Sequence, residues 1–171
     1  MAYYWLSKGQ DKVKYDMYYQ EYVRSAYRHL STCKLLMSEV EKVHGNQSDR
    51  KHWICEVYYL SGYILECMLS YVLFYKYKDH VSNHQYYKDK FLTHNLMSKV
   101  HYVVVVAGCQ LRGVTLISTP HEKRAINSLF SKWSVNYRYE PLECLNKDEI
   151  TIYLQSIEEA MKQILNNYPQ L

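Results

Sequence analysis

From Trp53 to Tyr75 the chain is apolar almost all the way round a helix. Trp53, Val57, Leu60, Ile64, Cys67, Tyr71 and Phe74 form one stripe, and Ile54, Tyr58, Leu65, Leu69 and Val72 cover much of the other side. Such a helix belongs at the centre of a bundle or inside a bilayer. Glu56 and Glu66 argue against the bilayer, because a carboxylate at mid-membrane costs about 2.5–3.5 kcal/mol. Basic residues on both flanks give no orientation bias. The run, over residues 50–76, is therefore expected to be the central helix of a bundle.

Composition agrees. Apolar residues make up 48% of 171 and charged residues 22%, which excludes disorder and suffices for one domain over residues 1–171. Five glycines and three prolines are too few for the frequent turns of a sandwich or barrel. Tyrosine is in excess, 20 against 3 Phe and 3 Trp, so many rings must be half-buried with their hydroxyls at water. The net charge of +4 permits an anionic partner without demanding one. The cysteines, Cys33, Cys55, Cys67, Cys109 and Cys144, are odd in number and form no CxxC. They read as free thiols in a reducing compartment. With no signal peptide evident at the N-terminus, the expected location is the cytoplasm.

Around the central run, Val23, Ala26, Leu30, Cys33, Met37 and Val40 recur at helical spacing within residues 10–43. Residues 76–92 are polar and predict a loop. Thr93 is a candidate N-cap for a helix reaching about residue 107, with Leu96, Val100, Val103 and Ala107 on one side. Val103-Val104-Val105-Val106 would prefer a strand, but no partner strand is evident, so a buried helix is expected. Residues 121–135 predict a short helix bearing Ile126, Leu129, Phe130 and Trp133. Asn146 with Glu149 resembles a capping box. It opens a last helix with Ile150, Tyr153, Leu154, Ile157, Met161, Ile164 and Tyr168 on its apolar face, stopped by Pro169. The expected fold class is all-α, an antiparallel up-and-down bundle of four to five helices.

Four elements in this order resemble the HEPN family (higher eukaryote and prokaryote nucleotide-binding domains). Tyr27-Arg28-His29-Leu30 with Cys33-Lys34-Leu35-Leu36 is similar to its opening helix. The segment from Tyr59 to Ser70, with Gly62 and Glu66 inside an apolar run, is similar to its second. Thr93-His94-Asn95-Leu96 resembles the start of its third, and Trp133 with Tyr137-Arg138-Tyr139-Glu140 a late Trp and Arg-Tyr element. The resemblance spans residues 22 to 166. It implies a HEPN-like bundle that forms a homodimer. It also implies roles in toxin–antitoxin pairs, phage defence and RNA cleavage, or partnership with a nucleotidyltransferase. Ribonuclease members carry Arg-x4–6-His at a late helix. Here no histidine follows Arg138, the last being His121, and the sole Arg-x4-His is Arg24 to His29 in the first helix.

Glu66, inside an apolar helix, needs a cation or several donors. Arg138, among aromatics, offers a bidentate fork. The two are expected to meet, either as a structural pair or with Arg138, Tyr137 and Tyr139 facing a groove that binds phosphate or a base. His94, beside a helix N-terminus, would favour its neutral form and could act as a base. Arg24 and His29 stand about 140° apart on their helix and converge only across a dimer. Asp79, His80 and His84 lack a clear third ligand in a loop-like segment, so no metal is expected. Tyr15, Tyr18, Tyr19 and Tyr22 interleave with Lys12, Lys14 and Arg24, which suits a protein interface or stacked bases. No P-loop, dinucleotide turn, HExxH or Gly-x-Ser-x-Gly is present, and no cofactor is expected. Three functions follow as expectations. The first is a non-catalytic binding or regulatory component acting on RNA or nucleotides. The second is a ribonuclease with a displaced site drawing on Arg138, His94, Arg24 and His29. The third is a structural oligomerisation module.

Overall fold

The computed structural model describes residues 11–42, 47–81, 93–106, 129–136 and 145–169, with backbone alone for 11–19, 47, 77–81 and 105–106. Nearly all of these residues are helical, without a strand among them. The helices are α1 (Asp11–Lys42), α2 (Gln47–Val81), α3 (Leu96–His101) and α4 (Lys147–Asn167). A π-helical turn, Tyr102–Val106, continues α3, and a single helical turn covers 129–132.

The stripes read from the sequence are the buried faces. In α1, Val23, Ala26, Leu30, Cys33 and Val40 are buried, with Met37 partly so. In α4 the buried face is Ile150, Tyr153, Leu154, Ile157, Met161 and Ile164, joined by Ala160. Each large side chain removed from water contributes about 1.5–3 kcal/mol, so these faces dominate the stability. Ser48–Lys76 is long and apolar enough to cross a membrane, yet 83% of its most apolar window is buried inside the protein. It is the central helix of the packing.

Side-chain pairs give the directions. Tyr22 stacks on Phe74 at 5.6 Å, while Cys33 Sγ lies 3.7 Å from the Val57 carbonyl, so α1 and α2 are antiparallel. Tyr58 meets Tyr153 at 5.6 Å and Tyr71 donates to the Tyr168 carbonyl at 2.8 Å, so α2 and α4 are parallel. The chain must therefore travel back along the bundle between them, and α3 and the 129–132 turn lie in that return. Ion pairs Lys34–Glu158 (2.9 Å) and Lys147–Glu41 (3.6 Å) set α4 against α1. Exposed pairs of this kind are worth under about 1 kcal/mol each.

Several boundaries depart from expectation. Helix α2 runs five residues into the expected loop and ends at Val81, so the backbone at Asp79 and His80 is helical. Of the expected helix at 121–135, residues 129–132 are helical, 133–134 are not, and 121–128 lie outside the described residues. The N-cap of α3 is Asn95, whose side chain accepts from Ser98 N at 2.9 Å. Thr93 instead accepts from Asn95 N at 3.1 Å and shapes the approach. Asn146 does cap α4, but it accepts from Asp148 N at 2.8 Å rather than from the Glu149 amide of a capping box. The valine run is helical, in the wider π form, with Val103 buried and Val104 exposed. Cys33, Cys55 and Cys67 form no disulfide, and burial pushes Cys33 and Cys67 up to about 12. Cys109, Cys144, His84 and His121 lie outside the described residues.

Tyr153 is fully buried between Tyr58 and Phe130, and its hydroxyl has no hydrogen-bond partner among the described residues. A buried, unpaired hydroxyl costs about 1–3 kcal/mol. Tyr153→Phe keeps the ring and removes the cost. The expected result is a gain of about 1 kcal/mol in urea or thermal unfolding. A loss of stability would mean that the hydroxyl has a partner.

Candidate functional site

One arc of α2, about 100° wide, carries Tyr59, Tyr63, Glu66, Cys67 and Ser70. Other elements bring chemistry to it. Glu66 is 9% exposed, in the middle of the apolar helix. Its Oε1 accepts from Lys99 Nζ at 3.2 Å and meets His94 Nδ1 at 2.8 Å. Lys99 is 2% exposed and donates also to Ser70 Oγ at 2.8 Å. Its ammonium is pulled below the ordinary lysine value by burial, against which the Glu66 carboxylate acts. Glu66 Oε2 is buried and has no hydrogen-bond partner among the described residues.

The cation that Glu66 requires is thus Lys99, backed by His94. Arg138, Tyr137 and Tyr139 lie outside the described residues, as does Glu140. The sequence reading passed over Lys99. Its signal was present: Leu96, Lys99 and Val103 stand 3 and 4 apart, so a lysine sits on the apolar stripe of its own helix. An acid on one apolar stripe and a base on another are each unaffordable alone and compatible together.

His94 differs from the other two members. Its side chain is 59% exposed, against 2% for Lys99 and 12% for Glu66. The cluster therefore opens to solvent through the imidazole.

The other edge of the arc faces α1. The His29 ring packs on Tyr63 at 5.8 Å, and Tyr63 in turn meets Trp133 edge-on at 5.3 Å and its hydroxyl meets that of Tyr59 at 3.0 Å. Arg28 is exposed, and its charge reaches the protons of both His29 and Cys67. Arg24 does not join them. It stays on its own helix, paired with Glu21 at 2.7 Å and bonded to Gln20 at 3.3 Å. The expected divergence of Arg24 and His29 is what their positions show, although His29 is half-buried rather than solvated. The side chains of Tyr15, Tyr18 and Tyr19 lie outside the described set, and Tyr22 is packed against the core. Among the described residues no three His, Cys, Asp or Glu side chains are gathered to hold a metal ion.

Burial and the nearby Arg28 charge hold His29 below the ordinary imidazole value of 6.5. The unfolded chain therefore takes up a proton below pH 6.5 that the folded chain resists. Stability from this residue is complete above that value and is lost as pH falls toward the folded one. Urea midpoints measured from about pH 7.5 down to about pH 5 should fall less steeply for His29→Gln than for the native chain. Equal slopes would show that His29 titrates freely in the fold.

No protein-family model, curated protein or solved structure matches this chain. Its described residues form an all-α bundle whose central helix holds a buried carboxylate and ammonium beneath an exposed histidine.

Proposed function

We propose that the chain is a HEPN-like helical protein, a non-catalytic binding or regulatory component of a cytoplasmic toxin–antitoxin or phage-defence system that acts on RNA or nucleotides. In this reading it works as a homodimer or beside a nucleotidyltransferase or other partner protein. The observation that carries it is the polar arc in the apolar stretch of α2, with Tyr63 and Glu66 between the Arg28 charge with its neighbouring His29 ring and the exposed His94. Cations beside aromatic rings hold phosphates and stack bases. The order of the four HEPN-like elements supports the family assignment, and the absence of a histidine after Arg138 supports binding over cleavage.

A second reading, a ribonuclease with a displaced site, is favoured by one observation: His94 is both exposed and hydrogen-bonded to a buried carboxylate. That arrangement suits acid–base work.

Purified protein incubated with total RNA, with and without metal, separates these readings. RNA retained without cleavage, and lost in Arg28→Ala and Arg138→Ala at unchanged melting temperature, supports the binding component. Cleavage that disappears in His94→Ala supports the ribonuclease. A stable dimer with neither property leaves the structural oligomerisation module and overturns both.

A further inference from the structure

We infer that Lys99, Glu66 and His94 form a relay that presents His94 Nε2 at the surface as a bare proton acceptor, making His94 an acid–base residue and Lys99 and Glu66 its positioning residues. The tautomer follows from geometry alone. Its use on a hydroxyl of bound RNA rests on the second reading above.

Lys99 is the buried cation of the cluster. Its ammonium, 2% exposed, lies 3.2 Å from Glu66 Oε1 and 2.8 Å from Ser70 Oγ. Glu66 pairs with that charge as a carboxylate, and a carboxylate can only accept hydrogen bonds. The 2.8 Å approach of His94 Nδ1 to the same oxygen therefore needs a proton on Nδ1. One carboxylate charge is already matched by one ammonium. A neutral imidazole completes the cluster without adding to its net charge. A neutral imidazole with its proton on Nδ1 has none on Nε2. The ring is 59% exposed, which leaves Nε2 open to an incoming O–H. The proton of that O–H would pass to Nε2, giving an imidazolium whose Nδ1–H remains on Glu66.

Lys99 decides the outcome although it is far too buried to touch a ligand. Without its ammonium, the buried carboxyl either takes up a proton and donates it to Nδ1, or draws one onto the imidazole to make an ion pair. In both arrangements Nε2 carries a proton and can no longer accept one.

The test is the protonation state of the His94 ring, read from long-range 1H–15N correlation spectra of the labelled full chain at about pH 7.5. The expected native pattern is a protonated Nδ1 and a bare Nε2, with a protonated Nε2 in Lys99→Met. A native Nε2–H, or both nitrogens protonated, overturns the inference, and so does a Lys99→Met spectrum identical to the native one. Should Lys99→Met fail to fold, Glu66→Leu/Lys99→Met removes acid and base together, and its ring is expected to lose the fixed Nδ1–H state. Retention of that state in the double variant would overturn the relay. If RNA is cleaved, Lys99→Met should lower kcat by about a hundredfold or more at unchanged KM. Absence of cleavage removes the second reading and leaves the spectra to decide the relay.

Discussion

Gly62→Ala is expected to destabilise the bundle by about 3 kcal/mol or more. In the interior of a helix this substitution ordinarily stabilises by about 0.5–1 kcal/mol, because glycine loses more freedom on folding. The sign reverses here because the Trp133 indole lies directly over Gly62. A methyl group at that position would fall inside the ring, against its Cε2 and Nε1. The clash is with the rigid body of the side chain, so nothing small can move aside. Trp133 would have to leave a site where it is 5% exposed, where Nε1 donates to the Tyr59 carbonyl at 3.0 Å, and where Tyr63 meets its ring at an interplanar angle of 88°. Urea unfolding of the single variants and of Gly62→Ala/Trp133→Ala checks the cause. The two losses should fall well short of adding, because removing the ring removes the clash. A Gly62→Ala chain as stable as the native one would refute this packing.

That glycine illustrates how much the sequence could disclose. A small residue inside an apolar run is visible at positions 59–70, but its reason, an indole from seventy residues further on, is a tertiary fact. The three long helices were legible because each carries a sustained 3,4 spacing, and their buried faces are the ones that spacing marks. Short elements were less so. The polar stretch after Lys76 gave no stop for α2, since a helix end without glycine or proline leaves no local signal. Thr93 and Asn95 are both good capping residues two positions apart, and only the chain path assigns the cap to Asn95. The valine run has the residues of a strand and the backbone of a π-turn, because α2 offers a helical packing surface and no described strand offers an edge.

The site was half legible. Glu66 announced itself as an acid in an apolar helix, and the requirement for a cation is met as that reasoning demands. Arg138, expected as a partner for its bidentate fork, lies outside the described residues. Lys99 stands on a single 3,4 register of a short helix, a weak pattern in a sequence. His94 was identified as a histidine beside a helix start, and its contact with Glu66 could not be read from spacing across 28 residues. The His29 packing on Tyr63 is of the same kind, two residues on different helices whose faces were known but whose rotation was not.

The pairing of Glu66 with Lys99 should show itself as a mirror image in pH. Breaking a buried ion pair by removing one partner costs about 3–5 kcal/mol, whereas replacing both by apolar groups of similar size is often neutral or better. Glu66→Leu leaves an ammonium buried at 2% exposure with Ser70 as its remaining described partner. Lys99→Met leaves a buried carboxylate with the exposed His94 as its remaining described partner, its Oε2 having none among the described residues. Each single variant should lose about 3–5 kcal/mol near neutral pH, and Glu66→Leu/Lys99→Met should recover most of it. The signs then differ. The stranded ammonium of Glu66→Leu loses its proton more readily folded than unfolded, so that variant regains stability as pH rises toward 10.5. The stranded carboxyl of Lys99→Met takes up a proton more readily folded than unfolded, so that variant regains stability as pH falls. In the native chain each charge holds the other, and neither recovery should appear with that amplitude. Urea midpoints of the four chains across the pH range measure this directly. Parallel curves for the two single variants would mean that the two groups do not share a buried charge, and the polar arc of α2 would lose the anchor that fixes His94 upon it.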